Sequence, residues 1–500
     1  HNPVWVLSPS SDGAKALIEF FRKRDASGAP ALVFTGVDTR FLGDLYQDLS
    51  ETVRKRYALL QTPVFVEEFI LDQTLDPAIA EFGLKGVTLI DPTCGSGHFL
   101  LGAFWRLLER WKIEEPGENI VDLARRALHQ VYGVDINPYA VAIARFRLVL
   151  ALLDAVGIKR LERAPAIRPN VVVADSLLHR FEQSRLGLDQ ELDVDADAQW
   201  GDRLFRLEDR LAVERVLTRR FAAVVGNPPY ITEKDGAKKR RIKELYDSIT
   251  GRWALGAPFT QRFFEMCIPG GFVGLINTNA WTKRDYGKVL IEKVLPRFDD
   301  EKIIDTSGCY LPGHGTPTLL LFGRNRLAAD SAIPAVLGKR GEQAIPVDPS
   351  RAPAWSEIVE SHGTVGFDGE YISVESFSRT EAKRHPWILA GGGARVLYKH
   401  LEQLAPMNLS KVAKNIGVDA ITRASDLLEL TQSTYKPLGV EVESLLPYVN
   451  GDIVRDWALN DVGIHIPVPY TRDSWELWSN LDSAPGLARF LWPHRSWMAV

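Results

Sequence analysis

The sequence predicts an α/β protein: a mostly parallel sheet, with a helical segment ahead of it and a mixed region behind. Three observations carry that expectation. Between residues 57 and 327, short apolar runs alternate with segments of helical periodicity. Several of those runs end directly in an acid, a glycine loop or a proline loop, which is where parallel sheets gather ligands. Beyond Ala328 the alternation fades. The expected organisation is a helical segment over 1–56, the sheet domain over 57–327, a connector over 328–390 and the beginning of a further domain over 391–500.

The chain has 500 residues, 45% hydrophobic and 25% charged, enough for two or three domains with full cores. It begins at His1 and closes on the apolar run Trp497-Met498-Ala499-Val500, so a piece of a longer polypeptide is expected. The net charge of −4 excludes a protein held to nucleic acid by overall charge, and any such affinity must come from local basic patches. Cys94, Cys267 and Cys309 are odd in number, far apart and without CxxC or HxH companions, which argues against disulfides and against a metal site and fits a reducing cytoplasm. No run approaches the ~18 apolar residues of a membrane span, and no signal peptide is visible.

Residues 1–60 show helical spacing at Ala16, Leu17, Phe20 and Phe21 and again at Leu45, Leu49 and Val53. Gln61-Thr62-Pro63 interrupts the pattern, with Thr62 read as an N-cap and Pro63 as the first helical residue. Val87-Thr88-Leu89-Ile90 is a short buried strand that runs into Asp91-Pro92-Thr93-Cys94-Gly95-Ser96-Gly97-His98-Phe99, followed by a helix burying Phe99, Leu100, Ala103, Phe104, Leu107 and Leu108. Gly95 and Gly97 let a ligand approach the backbone, and the helix start offers unpaired N–H groups, so a nucleotide cofactor is implied. The spacing is neither GxGxxG nor GxxxxGK[ST], and no Lys follows, which disfavours NAD and ATP.

Val131 to Asp135 reads as a second strand ending in a carboxylate suited to a ribose diol; an alternative role for Asp135 is to cap the following helix. Asn137 caps and Pro138 starts a helix running to Gly157. A third strand, Val171 to Ala174, delivers Asp175. Residues 182–202 read as an exposed acidic insertion, and Leu204, Leu207, Leu211 and Leu217 as the inward face of a helix. The strand Arg220 to Val225 then ends in Gly226-Asn227-Pro228-Pro229-Tyr230. Gly226 lets the chain leave the strand in a turn, and two prolines stiffen the loop and remove two donors. Asn227 and the Pro228 carbonyl are acceptors for the two hydrogens of an exocyclic amine, and Tyr230 is a face on which its ring can stack; a plain Pro-Pro turn is the other reading.

Lys238, Lys239, Arg240, Arg241 and Lys243 follow within one loop, either a solvated face or phosphate contacts. Gly271 to Ile276 and Thr318 to Phe322 are two more strands forming a hairpin-like pair, separated by the turn-rich 312–317. Gly391-Gly392-Gly393 opens a helix over Ala394 to Leu404, and residues 405–500 are loop-rich.

Asp-Pro-x-Cys-Gly-Ser-Gly-x-Phe at 91–99 followed by Asn-Pro-Pro-Tyr at 227–230 closely resembles the S-adenosylmethionine-dependent adenine-N6 DNA methyltransferases. The resemblance covers roughly residues 40–325. The stretches at 38–50 and 58–63 further look like the methyltransferases of BREX (phage growth limitation) defence systems, with those of DISARM systems next. The resemblance implies a Rossmann-like class I methyltransferase sheet, a target-recognition region beginning in 391–500, double-stranded DNA as substrate, and other defence proteins as partners. It implies that Thr62 and Pro63 contact the methionine end of the cofactor, Asp91, Gly95 and Gly97 its methionine and sugar with Thr93 in the same loop, Asp135 its ribose hydroxyls and Asp175 its adenine amine, with Phe99 and Ile136 flanking the adenine. Asn227, Pro228, Pro229 and Tyr230 would form the catalytic loop. The family places a second aromatic before a Pro near 311; here Leu311 precedes Pro312 and the nearby aromatic is Tyr310, carried as a DNA-contacting candidate.

The implied chemistry needs no covalent nucleophile, because acceptors aim the amine lone pair at the sulfonium methyl. Three rival readings stay open on the sequence: cytosine-N4 transfer, protein-glutamine methylation, and a cofactor-dependent DNA recognition subunit with weak activity of its own.

Overall fold

The computed structural model describes residues 10–25, 27–29, 39–40, 42–43, 62–159, 164–178, 208–328, 332–407 and, beyond these, 411–413, 425–449, 453–455, 458–459, 463–470, 482 and 484–495. Leu45, Leu49, Val53, the 182–202 insertion, Leu204 and Leu207 lie outside them. Two compact units divide near residue 403.

The first unit is built on a nine-stranded sheet, order β3-β2-β1-β4-β5-β7-β6-β8-β9. Its strands are β1 Leu89–Asp91, β2 Val131–Asp135, β3 Asn170–Val173, β4 Phe221–Gly226, β5 Cys267–Thr278, β6 Asp299–Asp305, β7 Thr318–Arg324, β8 Ala332–Gly338 and β9 Ile372–Ser378. β1 to β5 pair in parallel, β7 is antiparallel to both β5 and β6, β6 and β8 are parallel, and β8 and β9 antiparallel. Three helices precede β1, α1 Ser11–Phe21, α2 Val64–Asp72 and α3 Leu75–Phe82, and those between β1 and β5 include α4 His98–Glu114, α5 Ile120–His129, α6 Pro138–Ala155, α7 Arg210–Leu217, α8 Gly236–Leu245 and α9 Gly256–Glu265.

Alternate strand residues face opposite layers. Leu89 and Val225 join a core with Val66, Ile70, Leu100, Ala103, Phe104, Leu107 and Leu148 from α2, α4 and α6, whereas Ile90 and Val224 join one with Val216, Ile242 and Phe263 from α7, α8 and α9. Helices therefore cover both faces, which is why the parallel strands read as continuous apolar runs. The α4 face is buried at the six positions its periodicity predicts.

Several expectations need correction. Pro63 is the N-cap residue of α2, with extended backbone (φ −58°, ψ 146°), and not its first helical residue, so Thr62 does not cap the helix. The Lys238 to Lys243 run is the helix α8, capped by Asp235, and not a loop. Leu211 is 69% exposed and only Leu217 of the expected inward leucines is seen buried. Residues 328–390 are not a connector, because they supply β8 and β9 to the same sheet. Pro334 sits inside β8 and breaks its apolar pattern, which conceals the strand.

β6 is absent from the sequence reading because Asp299-Asp300-Glu301-Lys302 looks solvated. The structure buries the two aspartates: Asp299 accepts from Arg326 Nε at 2.9 Å and from Arg379, and burial pushes the Asp300 carboxyl up to about 8. The second unit holds a small antiparallel sheet of Leu430–Thr431, Ile464–Pro467 and Leu445–Pro447 around Leu430, Tyr435, Val440, Leu445 and Leu487. No described helix is long and apolar enough to cross a membrane.

Candidate active site

Strand order reverses between β1 and β4: the chain steps outward from β1 to β2 and β3, then returns to the other side of β1. Loops leaving the carboxyl ends of such neighbours diverge and open a crevice. The two loops that leave here are the glycine loop 91–97 and the proline loop 227–230.

The glycine loop is held by carboxylates from two strands. Asp91 Oδ1 accepts from the Thr93 amide at 2.9 Å and the Thr93 hydroxyl at 3.2 Å. Asp135, from the end of β2, accepts from the Gly95 amide at 2.9 Å and from the Asn137 amide at 2.8 Å. Asp135 thus ties the glycine loop to the turn before α6, whose cap is Asn137, its side chain accepting from the Tyr139 amide, and not Asp135. Gly97 has φ +86°, and a Cβ there would lie 3.0 Å from that of Ala144, so only glycine brings the loop down onto α6.

Burial raises both acids: Asp91 to about 8, opposed by its Thr93 hydrogen bonds, and Asp135 to about 6, opposed by the amides of Asn137 and Gly95. Of the two, Asp91 is the harder to ionise.

Gly226 is required by close approach and not by a turn. A Cβ would lie 2.5 Å from Asp91 Oδ1 and 3.0 Å from both Thr93 Oγ1 and Phe263 Cζ, so its absence lets the two loops meet. Directly after it, Asn227 Nδ2 donates to Thr62 Oγ1 at 3.2 Å. That bond orients the amide and explains why Thr62 does not cap α2.

The cleft between the loops encloses about 1050 Å³ including its open mouth. It is lined by Thr62, Asp91, Thr93, Gly95, Phe99, Asp135, Ile136, Asp175, Asn227 and Pro229 among the residues expected from sequence. Gly97, Pro63, Pro228 and Tyr230 are not among its lining residues. Ser96, His98, Ser176, Leu177, Glu233, Ile242, Leu255 and Phe259 line it without having been singled out. His98 carried a signal, a titratable group directly after the glycine loop at the start of α4; apart from Ser96 within that loop, the others come from turns and helices that only folding brings in.

Tyr230 keeps a buried hydroxyl with no hydrogen-bond partner among the described residues, and burial holds its pKa well above 10. Its ring faces His314, centroids 6.0 Å apart and planes at 51°. Tyr310 makes no ring contact with it among the described residues; its backbone amide donates to Glu342 at 3.0 Å. The 312–317 loop thus brings a ring to Tyr230 through His314, which the sequence reading did not single out. Of the basic residues, Lys238 turns back to Asp175 (3.7 Å) and Arg241 pairs with Glu244 (3.1 Å), while Arg240 and Lys243 are exposed and Lys239 is half-buried.

The sheet order 3-2-1-4-5-7-6 with a reversed seventh strand, and a glycine loop and acid-ended second strand at its switch point, define a class I S-adenosylmethionine-dependent methyltransferase fold. Residues 129–310 match the family model described as Eco57I restriction-modification methylase. The chain is 41% identical over 522 aligned residues to the adenine-specific methyltransferase PglX of Streptomyces coelicolor, an alignment covering 99% of this chain and 42% of that protein. It is 26% identical to the type II methyltransferase M.XhoI of Xanthomonas vasicola, over 86% of this chain and 69% of that one, and 23% identical to M.BstVI of Geobacillus stearothermophilus, over 86% and 70%. The chain is thus similar to adenine-specific and type II DNA methyltransferases over most of its length, and it spans less than half the length of PglX.

Proposed function

We propose that this chain is the catalytic part of a site-specific DNA methyltransferase that moves the methyl group of S-adenosylmethionine to N6 of an adenine flipped out of double-stranded DNA. In this reading it marks host DNA within a cytoplasmic anti-phage defence system. The observation that carries the reading is the hydrogen bond from Asn227 to Thr62, which fixes the proline loop's amide at the rim of a cleft built like a nucleoside site.

The residues fit the cofactor. Gly95 leaves open space where a side chain would project, Asp135 is an ionisable acceptor for a ribose diol, and Phe99 and Ile136 offer apolar walls. Asp175 stands at the same cleft as an acceptor for an amine. Bound there, S-adenosylmethionine would supply an activated methyl group.

The chain's own part is to hold and to aim. With its amide nitrogen given to Thr62, Asn227 presents its oxygen as the acceptor, and the Pro228 carbonyl is the second. Two acceptors on one amine localise its lone pair, and their preorganised dipoles accelerate transfer without a covalent step. Burial keeps the Cys94 thiol protonated, well above 9, which suits a packing role and not a nucleophile. Extrusion of the base costs a few kcal/mol, and stacking on the aromatic Tyr230 offsets part of it. Lys239, Arg240 and Lys243 on α8 are the phosphate contacts of this reading.

Incubating the protein with duplex DNA and S-adenosylmethionine, digesting to nucleosides and weighing them by mass spectrometry tests it. N6-methyladenine is expected. N4-methylcytosine alone, or a methylated protein side chain with unmodified DNA, would contradict it.

A further inference from the structure

We infer that His98 is a cofactor-binding residue that donates from Nε2 to the carboxylate at the methionine end of the cofactor, an inference that rests on the methyltransferase reading above. His98 is the first residue of α4, a 17-residue helix whose N-cap, Gly97, has no side chain to cap it. Such an end presents unpaired amides and the positive pole of the helix dipole, which together favour an anion.

The second observation is the imidazole itself. His98 is 8% exposed, and its Nε2 is buried without a hydrogen-bond partner among the described residues. A buried polar atom left so is destabilising unless something completes it. The ring lines the cleft beside Thr62 and Ser96 and also borders a second cavity behind them, lined by Arg40, Glu67, Trp105 and Arg147.

The surrounding bonds set the tautomer and the charge. Arg147, 3% exposed, donates from Nη1 to the Ser96 carbonyl at 2.7 Å and to the Ser96 hydroxyl at 3.4 Å. That hydroxyl lies 3.5 Å from His98 Nδ1, and by donating there it leaves the hydrogen on Nε2. Burial, with Arg147 and Arg40 nearby, holds the imidazole neutral, well below 6.5. Arg40 donates to the Thr62 carbonyl at 3.0 Å and lies 3.4 Å from Glu67, whose carboxyl burial pushes up to about 7. Arg40 and Arg147 share the second cavity with the carboxyls of Glu67 and Asp154, so the charges behind the ring largely balance. The neutral ring, and not a charged group, is the donor this inference assigns to the ligand.

Two ligands separate this role from a structural one. S-adenosylhomocysteine carries the amino-acid tail; 5′-methylthioadenosine keeps the nucleoside and lacks the carboxylate. Calorimetric titration should show His98→Leu weakening S-adenosylhomocysteine about 10- to 100-fold, the effect of one hydrogen bond to a charged group, with methylthioadenosine unchanged. His98→Gln, which keeps an N–H, should lose less. Equal losses for both ligands, or no loss for S-adenosylhomocysteine, would overturn the assignment. Wild-type protein that binds neither ligand would overturn the cofactor reading itself, which is a separate result from a wild type that binds both and a variant that does not discriminate.

Discussion

The glycine loop after β1 and the proline loop after β4 leave adjacent strands at one switch point, yet they are built on opposite principles. The glycine loop takes left-handed conformations at Gly95 and Gly97 and is tied down by two carboxyls, its own first residue Asp91 and Asp135 from β2. The proline loop is stiff by covalent structure, with two fixed φ angles, and is tied to Thr62 through Asn227. A loop that must close around a ligand gains from backbone freedom restrained by side chains. A loop that must aim two acceptors at one nitrogen gains from having little freedom. In the proposed function the first loop holds and the second activates, and each prediction tries to move an effect from one loop to the other.

The largest effect should follow from loosening the proline loop. Pro228→Gly with Pro229→Gly leaves Asn227 in place but frees its backbone, and misplacement on the order of 1 Å is worth about 100-fold in rate. Single-turnover methyl transfer should fall by that order while S-adenosylhomocysteine affinity holds. A loss confined to cofactor affinity would put the proline loop on the holding side.

Asp135→Asn should do the reverse. It removes a charged acceptor while one oxygen still braces the loop, and cofactor affinity should weaken by about 1.5–3 kcal/mol with little change in the rate of bound complex. The same carboxyl sets a pH dependence. Its pKa is raised to about 6 in the folded protein, so below pH 6 it holds a proton that acceptance from a ribose hydroxyl disfavours. Affinity should therefore rise from pH 5 to 7 and level off above, and this rise should vanish in Asp135→Asn. For stability the sign is opposite: an acid with a raised native pKa makes folding less favourable as pH climbs from the unfolded value, 3.8, through about 6.

Gly226→Ala joins the two loops in one test. Its Cβ must displace the Asp91 carboxylate or the end of β4, an overpacking strain of ~1–3 kcal/mol that should appear as a lower Tm together with losses in both affinity and rate. Alanine tolerated without either change would mean that the loops do not depend on that contact. The smallest effect concerns α8: neutralising Lys239, Arg240 and Lys243 together should flatten the slope of log affinity against log salt by roughly 0.9 per lost contact. Lys238→Ala should do less to that slope, because Lys238 faces Asp175.

Most of the cofactor half of this site was legible in the chain because local rules write it there. A continuous apolar run, a glycine pair and an acid at a strand end are each visible within ten residues, and β2, Val131 to Asp135, was read to the residue. What was not legible depends on partners far away. The Thr62 hydroxyl looked like a helix cap until Asn227, 165 residues on, was found donating to it. β6 looked like surface because Arg326 and Arg379, which make its buried Asp299 tolerable, are distant in sequence. β8 and β9 were masked by Pro334 and by the polar residues of Ile372–Ser378. His314 beside Tyr230 was not legible because a glycine-flanked turn can present any of its side chains, and only the fold chooses.

The division between holding and activation stands most directly on Asn227→Ala. The variant keeps Asp91, Asp135 and the glycine loop, and loses the one side-chain acceptor assigned to the reacting nitrogen. Single-turnover transfer to adenine N6 and calorimetric binding of S-adenosylhomocysteine, run on the same preparation beside wild type, decide it. The account predicts a rate lower by ~100-fold or more, the worth of one preorganised dipole of about 3 kcal/mol, with cofactor affinity unchanged. Methyl transfer to adenine N6 at near the wild-type rate would contradict it.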